Sequence, residues 1–324
     1  MNALQIAHTG LSLSRIGYGC MQLGGRWDHS PINDDERKAA FRIIETAIDQ
    51  NITLFDHADI YTLGKSEQVF GEFLRKTPSL RDRIVLQSKC GIRFDDDPVT
   101  GAPKRYDFSQ RYILESVDGI LNRLHTDHLD ILLLHRPDPL MQPEEVAAAF
   151  STLQRSGKVR YFGVSNHTAA QISLLRKYVE QPLVINQIEL SLLHMQAIEE
   201  GIVANQATAP YAAADGLLDY CRLHDITIQA WAPVASGKLI DPPHTTDVRT
   251  QQLAAHIAKM ATAKNTTREA IALAWLLRHP AGIQPIVGTM NSVRLIDSCR
   301  ANDVVLSREE WYALFTTARG AAVP

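Results

Sequence analysis

Three apolar runs of this sequence end at ionisable side chains. The residues at or just beyond these ends are Asp56, Tyr61, Lys89 and His135. Removing a charge from water costs several kcal/mol unless the charge is paired or used. We therefore expect the four side chains to share one pocket, in which they compensate one another.

Proton transfer is the chemistry that these residue types allow. The phenol of Tyr61 has an ordinary pKa near 10 and becomes a useful acid at neutral pH beside a positive charge, which Lys89 can supply. Asp56 can pair with Lys89 and keep its ammonium protonated. His135 can hydrogen-bond the oxygen of a bound carbonyl.

Eight strands that alternate with helices are predicted to position these residues. The strand candidates are Arg15 to Met21, Leu54 to Ala58, Ile84 to Cys90, Leu129 to His135, Val159 to Ser165, Leu183 to Leu190, Ile226 to Pro233 and Pro285 to Thr289. The helical patterns cover residues 34–50, 66–76, 109–124, 143–156, 168–179, 214–223, 250–278, 292–301 and 307–318. This alternation favours one domain, residues 1–324, folded as a parallel (β/α)8 TIM barrel, with a doubly wound sheet as the alternative.

The connections carry further predictions. The stretch from Leu4 to Leu13 predicts an N-terminal β-hairpin that plugs the bottom of the barrel. Three long loops, residues 91–107, 191–215 and 241–249, follow strands and therefore belong to the face where barrel enzymes build their sites.

The helix after the eighth strand could bind an anion through its N–H groups and Arg294. Gly17 and Gly19 are a weak dinucleotide signature because Gln22 replaces a third glycine.

Composition excludes several classes of function. The net charge is −3 and no Lys/Arg stripe is present, so neither nucleic acid nor an anionic membrane is an expected partner. No apolar run approaches the length of a membrane helix, and the start lacks a secretory pattern. Four scattered cysteines favour reduced thiols in the cytoplasm. Neither His125 with His128 nor the run Asp95 to Asp97 indicates a metal site, and no metal is expected.

Taken in order, eight segments resemble the aldo-keto reductase family, in particular a bacterial oxidoreductase branch. They are Ile16 to Met21, Phe55 to Tyr61, Ser88 to Cys90, Leu133 to Asp138, Gly163 to Asn166, Asn186 to Glu189, Trp231 to Pro233 and Val287 to Arg294. The resemblance implies a (β/α)8 barrel that uses NADPH to reduce aldehydes or ketones. It also implies that Asp56, Tyr61, Lys89 and His135 are the catalytic tetrad, with Tyr61 protonating the carbonyl oxygen.

The same resemblance implies a coenzyme site along the strand ends. Ser165, Asn166 and Gln187 would hold the nicotinamide carboxamide, Trp231 would stack on the ring, and Arg294 would meet the 2′-phosphate. The remaining implied residues are Gly19, Cys20, Met21, Asp56, Ala232, Val234, Ser236, Gly237, Lys238, Gly288, Thr289, Met290, Asn291, Asp297 and Ser298. Gly288 stands where many relatives carry lysine, so preference for NADP over NAD rests mainly on Arg294. His57 and Thr62 stand where threonine and glycine are frequent.

Two other functions stay open. A nucleotide-binding regulatory or sensor subunit with little turnover is possible because this fold can serve as a scaffold. A barrel hydrolase that uses Glu189 with Asp56 is the other. The sequence leaves the carbonyl substrate and the oligomeric state open. Met21, Leu63, Arg93, Phe94 and Tyr211 are candidate pocket walls.

Overall fold

Eight parallel strands close into a barrel in the computed structural model, which describes residues 3–203, 216–242 and 247–324. The strands are β1 (Leu4–Gln5), β2 (Ser12–Leu13), β3 (Gly17–Gly19), β4 (Leu54–Asp56), β5 (Val85–Cys90), β6 (Ile92–Arg93), β7 (Arg105–Tyr106), β8 (Leu129–Leu134), β9 (Val159–Ser165), β10 (Leu183–Glu189), β11 (Thr227–Trp231) and β12 (Gln284–Val287). The barrel order is β3-β4-β5-β8-β9-β10-β11-β12, and β12 pairs with β3. The predicted (β/α)8 barrel is confirmed.

Helices surround the barrel. They are α1 (Asp34–Asp49), α2 (Lys65–Lys76), α3 (Gln110–Leu124), α4 (Pro143–Arg155), α5 (Ala169–Arg176), α6 (Gln196–Glu199), α7 (Leu217–Leu223), α8 (Val248–Ala263), α9 (Arg268–Leu277), α10 (Ser292–Cys299) and α11 (Arg308–Arg319). Asn33 and Glu36 form a reciprocal capping box at the start of α1. No helix of the described residues is long and apolar enough to cross a membrane.

One predicted helix is wrong. The pattern over residues 250–278 predicts a single helix, but the chain forms α8 and α9 with a break between them. Asn265 adopts a left-handed backbone with φ of 50°. The hydroxyl of Thr267 then accepts a hydrogen bond from the Ala270 N–H and caps α9. The buried apolar positions stop at Ala261 and resume at Ala270, so the break coincides with a gap in the apolar pattern.

The N-terminal hairpin closes the bottom of the barrel. Strands β1 and β2 pair antiparallel as a separate two-stranded sheet. Ile6 and Leu13 are buried, and they pack with the apolar residues Leu54, Val85 and Ile131 of the barrel strands. The predicted plug is therefore present, and it leaves the opposite end of the barrel open for a site.

The structure describes the first of the three long loops in full and the other two in part. Residues 91–107 contain the small hairpin β6–β7. The loop over residues 191–215 contains α6, and its residues 204–215, with Tyr211, lie outside the described residues. Residues 243–246 of the third loop also lie outside them.

Candidate active site

Three neighbouring strands bring the four predicted side chains together. Asp56 ends β4, Lys89 lies in β5, and His135 follows β8. Tyr61 begins a short 3-10 turn that follows β4. Because β4, β5 and β8 are parallel neighbours, their carboxyl ends meet at one edge of the barrel.

Lys89 is the centre of the site. Its Nζ donates to both carboxylate oxygens of Asp56, at 2.7 and 2.8 Å, and to the main-chain oxygen of His57 at 2.9 Å. It also lies 3.1 Å from the hydroxyl oxygen of Tyr61. Lys89 is fully buried and Asp56 is 2% exposed. The ammonium thus connects a buried carboxylate to the phenol.

The protonation states of Lys89 and Tyr61 reflect opposing effects. Burial disfavours the ammonium, but Asp56 and Tyr61 outweigh it, so the pKa of Lys89 is raised and the residue stays charged. Burial raises the pKa of Tyr61 above its ordinary value, although Lys89 acts in the opposite direction. The phenol is therefore protonated at neutral pH and has its proton available to donate.

His135 is a neutral imidazole beside the phenol. Its ring meets that of Tyr61 edge-on, with 5.9 Å between ring centres. Burial, followed by the positive charges of Lys89 and Arg136, holds the pKa of His135 well below its ordinary value. The buried Nδ1 has no hydrogen-bond partner among the described residues.

His57, the residue after Asp56, is also a neutral buried imidazole. It is fully buried and packs edge-on against Phe70, with 4.7 Å between ring centres. Neither ring nitrogen has a hydrogen-bond partner among the described residues. Burial, helped by the charge of Lys89, lowers the pKa of His57 to about 3.

The backbone after Tyr61 turns in the left-handed region. Thr62, Leu63 and Gly64 have φ of 47°, 60° and 84°. This conformation explains why glycine is the expected residue after the tyrosine, since a β-branched side chain is strained there. The hydroxyl of Thr62 donates to the Tyr61 carbonyl at 2.7 Å and lies 2.9 Å from that of Ser66. These contacts hold the turn in place below the phenol.

Four glutamine side chains form a hydrogen-bonded ladder inside the barrel, which is usually filled by aliphatic residues. Gln87 donates to Asp56 at 2.6 Å and to the Gln229 side-chain oxygen at 2.8 Å. Gln229 donates to Gln284 at 2.9 Å, and Gln284 donates to the Ser14 carbonyl at the base of the barrel at 2.8 Å. Gln187 also donates to Gln229, at 3.0 Å. All four glutamines are 2% exposed or less.

A cavity of about 970 Å³ opens from the phenol along the strand ends. Besides Asp56, Tyr61 and His135, the predicted site residues that line it are Gly19, Met21, Ser165, Asn166, Gln187, Trp231, Ala232, Val234, Ser236, Gly237, Lys238, Gly288, Thr289, Arg294 and Ser298. Met290 and Asn291 instead line a neighbouring depression with Arg42. Cys20, Lys89 and Asp297 do not line either one.

The ends of β9, β10 and β11 form one connected group beside the phenol. The side-chain amide of Asn166 donates to the Ser165 hydroxyl at 2.8 Å. The Ser165 hydroxyl donates to the main-chain oxygen of Gln187, also at 2.8 Å. The indole N–H of Trp231 donates to the Asn166 side-chain oxygen at 3.1 Å. This bond fixes the orientation of the indole ring at the cavity wall.

The helix after β12 offers less to an anion than its position suggests. The side-chain oxygen of Asn291 accepts from the N–H groups of Val293 and Arg294 at 2.9 and 3.2 Å. Asn291 therefore satisfies two of the donors that the anion-site prediction invokes. The Arg294 side chain lines the large cavity, and it has no carboxylate partner among the described residues.

Several cavity residues were not predicted. Trp27, Lys104, Tyr106 and Arg136 line the cavity, whereas the candidate walls Leu63, Arg93 and Phe94 do not. Arg136 had a signal in the sequence, since it directly follows His135. The β6–β7 hairpin supplies Tyr106, and no sequence pattern predicts where that hairpin folds.

Two other predictions from the sequence concern a pair of carboxylates and a metal site. Glu189 lies near His194 and outside the cavity lining, so it is not assembled with Asp56 as a carboxylate pair. Among residues 3–203, 216–242 and 247–324 no group of three or more metal-ligating side chains is present. All four cysteines are buried.

Fold and site together define the class of protein. It is a (β/α)8 barrel in which a buried aspartate, a buried lysine and a tyrosine contact one another at the carboxyl ends of the strands. The model of the Aldo/keto reductase family matches residues 15–316. The chain therefore belongs to the aldo-keto reductase family of oxidoreductases.

Similar proteins agree with this assignment. The chain is 38% identical to the uncharacterized oxidoreductase YcsN of Bacillus subtilis, over 100% of both chains. It is 35% identical to the 6-dehydroglucose reductase of Agrobacterium fabrum, over 97% of both. The solved aldo/keto reductase of Klebsiella pneumoniae in complex with NADP and acetate superposes with a TM-score of 0.75 at 26% identity. That match covers 97% of this chain and 94% of the other.

Proposed function

We propose that this protein is an NADPH-dependent carbonyl reductase that converts small aldehydes or ketones to alcohols. The observation that carries the proposal is the contact of the Lys89 ammonium with both Asp56 and the Tyr61 hydroxyl, beside an open cavity. The phenol is the only part of this triad that can release a proton to a bound carbonyl and have the resulting charge stabilised at once by a neighbouring cation.

The residues that line the cavity suit a nicotinamide coenzyme. It extends from Tyr61 to Arg294, and no carboxylate of the described residues pairs with Arg294 or Lys238. These two cations would hold the phosphates, while Asn166 and Gln187 would hold the carboxamide beside Trp231. The Klebsiella pneumoniae relative, which was solved with NADP, supports the choice of coenzyme. The bound coenzyme supplies a hydride to the carbonyl carbon.

The side chains of this protein would donate the proton that the reaction needs and stabilise the charge that remains. Tyr61 donates its hydroxyl proton to the carbonyl oxygen, which completes an alcohol once the carbon has gained a hydride. Lys89 stabilises the phenolate that remains, and Asp56 keeps Lys89 protonated. His135, being neutral, hydrogen-bonds the carbonyl oxygen and orients it toward the phenol. Solvent then returns a proton to Tyr61.

Tyr61→Phe tests this assignment. The variant should bind NADPH like the wild type, measured by nicotinamide fluorescence. Its oxidation of NADPH with a panel of reactive aldehydes should be slower by about 10²- to 10⁴-fold, the usual contribution of a general acid. The matched control is Tyr106→Phe, which removes the hydroxyl of an exposed cavity tyrosine and should leave turnover nearly unchanged.

Two results would contradict the proposal. Equal turnover in Tyr61→Phe and the wild type would remove Tyr61 from the chemistry. Tight NADPH binding with no turnover of any aldehyde or ketone by the wild type would favour the regulatory or sensor subunit instead.

A further inference from the structure

Arg136 is a cation inside the proposed reaction site that has no carboxylate partner among the described residues. It follows His135 directly, is partly buried, and lines the same cavity as Tyr61. Its guanidinium lies over the ring of Trp231, 5.5 Å from the ring centre. Arginine in such a place can present one edge of its planar group to a ligand.

Among the described residues, the other partly buried arginines either pair with a carboxylate or, like Arg15 and Arg105, donate to main-chain oxygens. Arg93 pairs with Asp97 and Asp107, and Arg123 pairs with Glu67, each at 3.0 Å or less. Arg136 has no ion pair with any described carboxylate. A partly desolvated cation with no counter-charge is unfavourable unless a ligand supplies the charge.

The charges beside the phenol support an anionic ligand; the other cations of the lining are the exposed Lys104 and the two assigned to the coenzyme phosphates, Lys238 and Arg294. Asp56 neutralises Lys89, and His135 is neutral, so Arg136 leaves an excess positive charge beside the phenol. The cavity lining contains two other carboxylates, Asp241 and Glu269, and neither forms an ion pair with Arg136.

We propose that Arg136 is a specificity-determining residue that binds a carboxylate on the carbonyl substrate. The protein would then prefer aldehydes or ketones that carry a carboxylate over neutral ones of the same shape. A carboxylate matches the geometry and the single charge of one guanidinium, through two parallel N–H···O bonds. This inference rests on the proposed reductase function, of which it specifies the substrate class.

Matched pairs of substrates test the inference. The pairs are 4-carboxybenzaldehyde with methyl 4-formylbenzoate, and succinic semialdehyde with methyl 4-oxobutanoate, which differ in the distance from aldehyde to acid. For the better pair, the wild type should reduce the acid with a kcat/KM about 10- to 100-fold above that of the ester, as expected for a hydrogen-bonded ion pair.

Variants at position 136 should then change the ratio of kcat/KM for the acid to kcat/KM for the ester, a ratio in which any effect on both substrates cancels. Arg136→Gln should bring the ratio close to one, through KM for the acid, and Arg136→Lys should restore part of the preference. Lys104→Gln removes an exposed cation of the same cavity and should keep most of the ratio. No preference for the acid in the wild type, or an unchanged ratio in Arg136→Gln, would overturn the inference.

A binding measurement separates this inference from the proposed function. Calorimetric titration of the acid and the ester into protein with NADP⁺, which has no hydride to give, reads recognition without turnover. Tighter binding of the acid that Arg136→Gln abolishes would support the role of Arg136 even if no aldehyde is reduced. Turnover with equal binding of acid and ester would leave the reductase intact and refute the role of Arg136.

Discussion

Replacing His57 by leucine should stabilise the protein more at pH 5 than at pH 7. The imidazole is fully buried, has no hydrogen-bond partner among the described residues, and has a pKa of about 3. In the unfolded chain its pKa is about 6.5. Below pH 6.5 the unfolded state therefore gains a proton that the folded state does not accept until about pH 3. Stability is lost as the pH falls through this window.

The magnitude follows from these two values. Each pH unit below the unfolded pKa costs about 1.4 kcal/mol, so His57 destabilises the wild type by about 2 kcal/mol more at pH 5 than at pH 7. A residue that does not titrate removes this cost. Urea unfolding followed by tryptophan fluorescence at both pH values measures the difference between His57→Leu and the wild type.

A second replacement separates titration from packing. His57→Gln is also free of a titrating group, but it buries an amide and should be less stable than His57→Leu at every pH. Its difference from the wild type should nevertheless shift by the same ~2 kcal/mol between pH 7 and pH 5. If the difference between either variant and the wild type is independent of pH, then His57 is not held neutral by burial, and the reasoning fails.

Three further predictions concern the site and its support. Lys89→Met should lower the free energy of unfolding by about 3–5 kcal/mol in denaturant titrations, because Asp56 is left buried without its counter-ion; adding Asp56→Asn should recover much of the loss, and a double variant no better than the single would contradict this. Gly71→Ala should lower the free energy of unfolding by about 1–3 kcal/mol, because its Cβ would overlap the main-chain oxygen of Arg123 in the last turn of α3. Its control Gly119→Ala meets only the flexible end of an arginine and should be nearly neutral or stabilising. Because burial and neighbouring cations hold the pKa of His135 well below its ordinary value, kcat/KM for an aldehyde should not fall between about pH 8 and pH 6, and a step centred near pH 6.5 would argue against a neutral imidazole.

The grouping of side chains at the strand ends was predictable because all strands of a parallel barrel have their carboxyl ends at the same edge. Asp56 and Lys89 each end or lie near the end of an apolar run, so closure of the barrel brings them together even though they are far apart in sequence. The break between α8 and α9 could have been predicted from Asn265 and Thr267, which are typical of a helix end and of an N-cap, and from the gap in the apolar pattern between Ala261 and Ala270. The cap that Asn291 provides also changes the anion-site prediction, since a side chain occupies donors that the sequence assigns to a ligand.

The glutamines show a different limit of sequence reasoning. Gln87, Gln229 and Gln284 lie on three different strands, and each taken alone is a polar residue within a buried strand. What makes them a group is the set of hydrogen bonds between their side chains, which form only when the barrel closes. Arg136 is similar, because the absence of a carboxylate partner among the described residues is a property of its folded surroundings and not of the sequence beside His135.

An amide side chain has one end that donates and one that accepts, so a row of linked amides has a direction. The Ser14 carbonyl can only accept, which sets the N–H end of Gln284 toward the base of the barrel and leaves its oxygen to receive Gln229. Between Gln229 and Gln87 the bonds run both ways, at 2.8 and 3.2 Å, so the order set from the base of the barrel ends at this pair. At the open end the Asp56 carboxylate accepts from Gln87, which sets the N–H end of that amide toward it. The row of amides is therefore oriented from both of its ends.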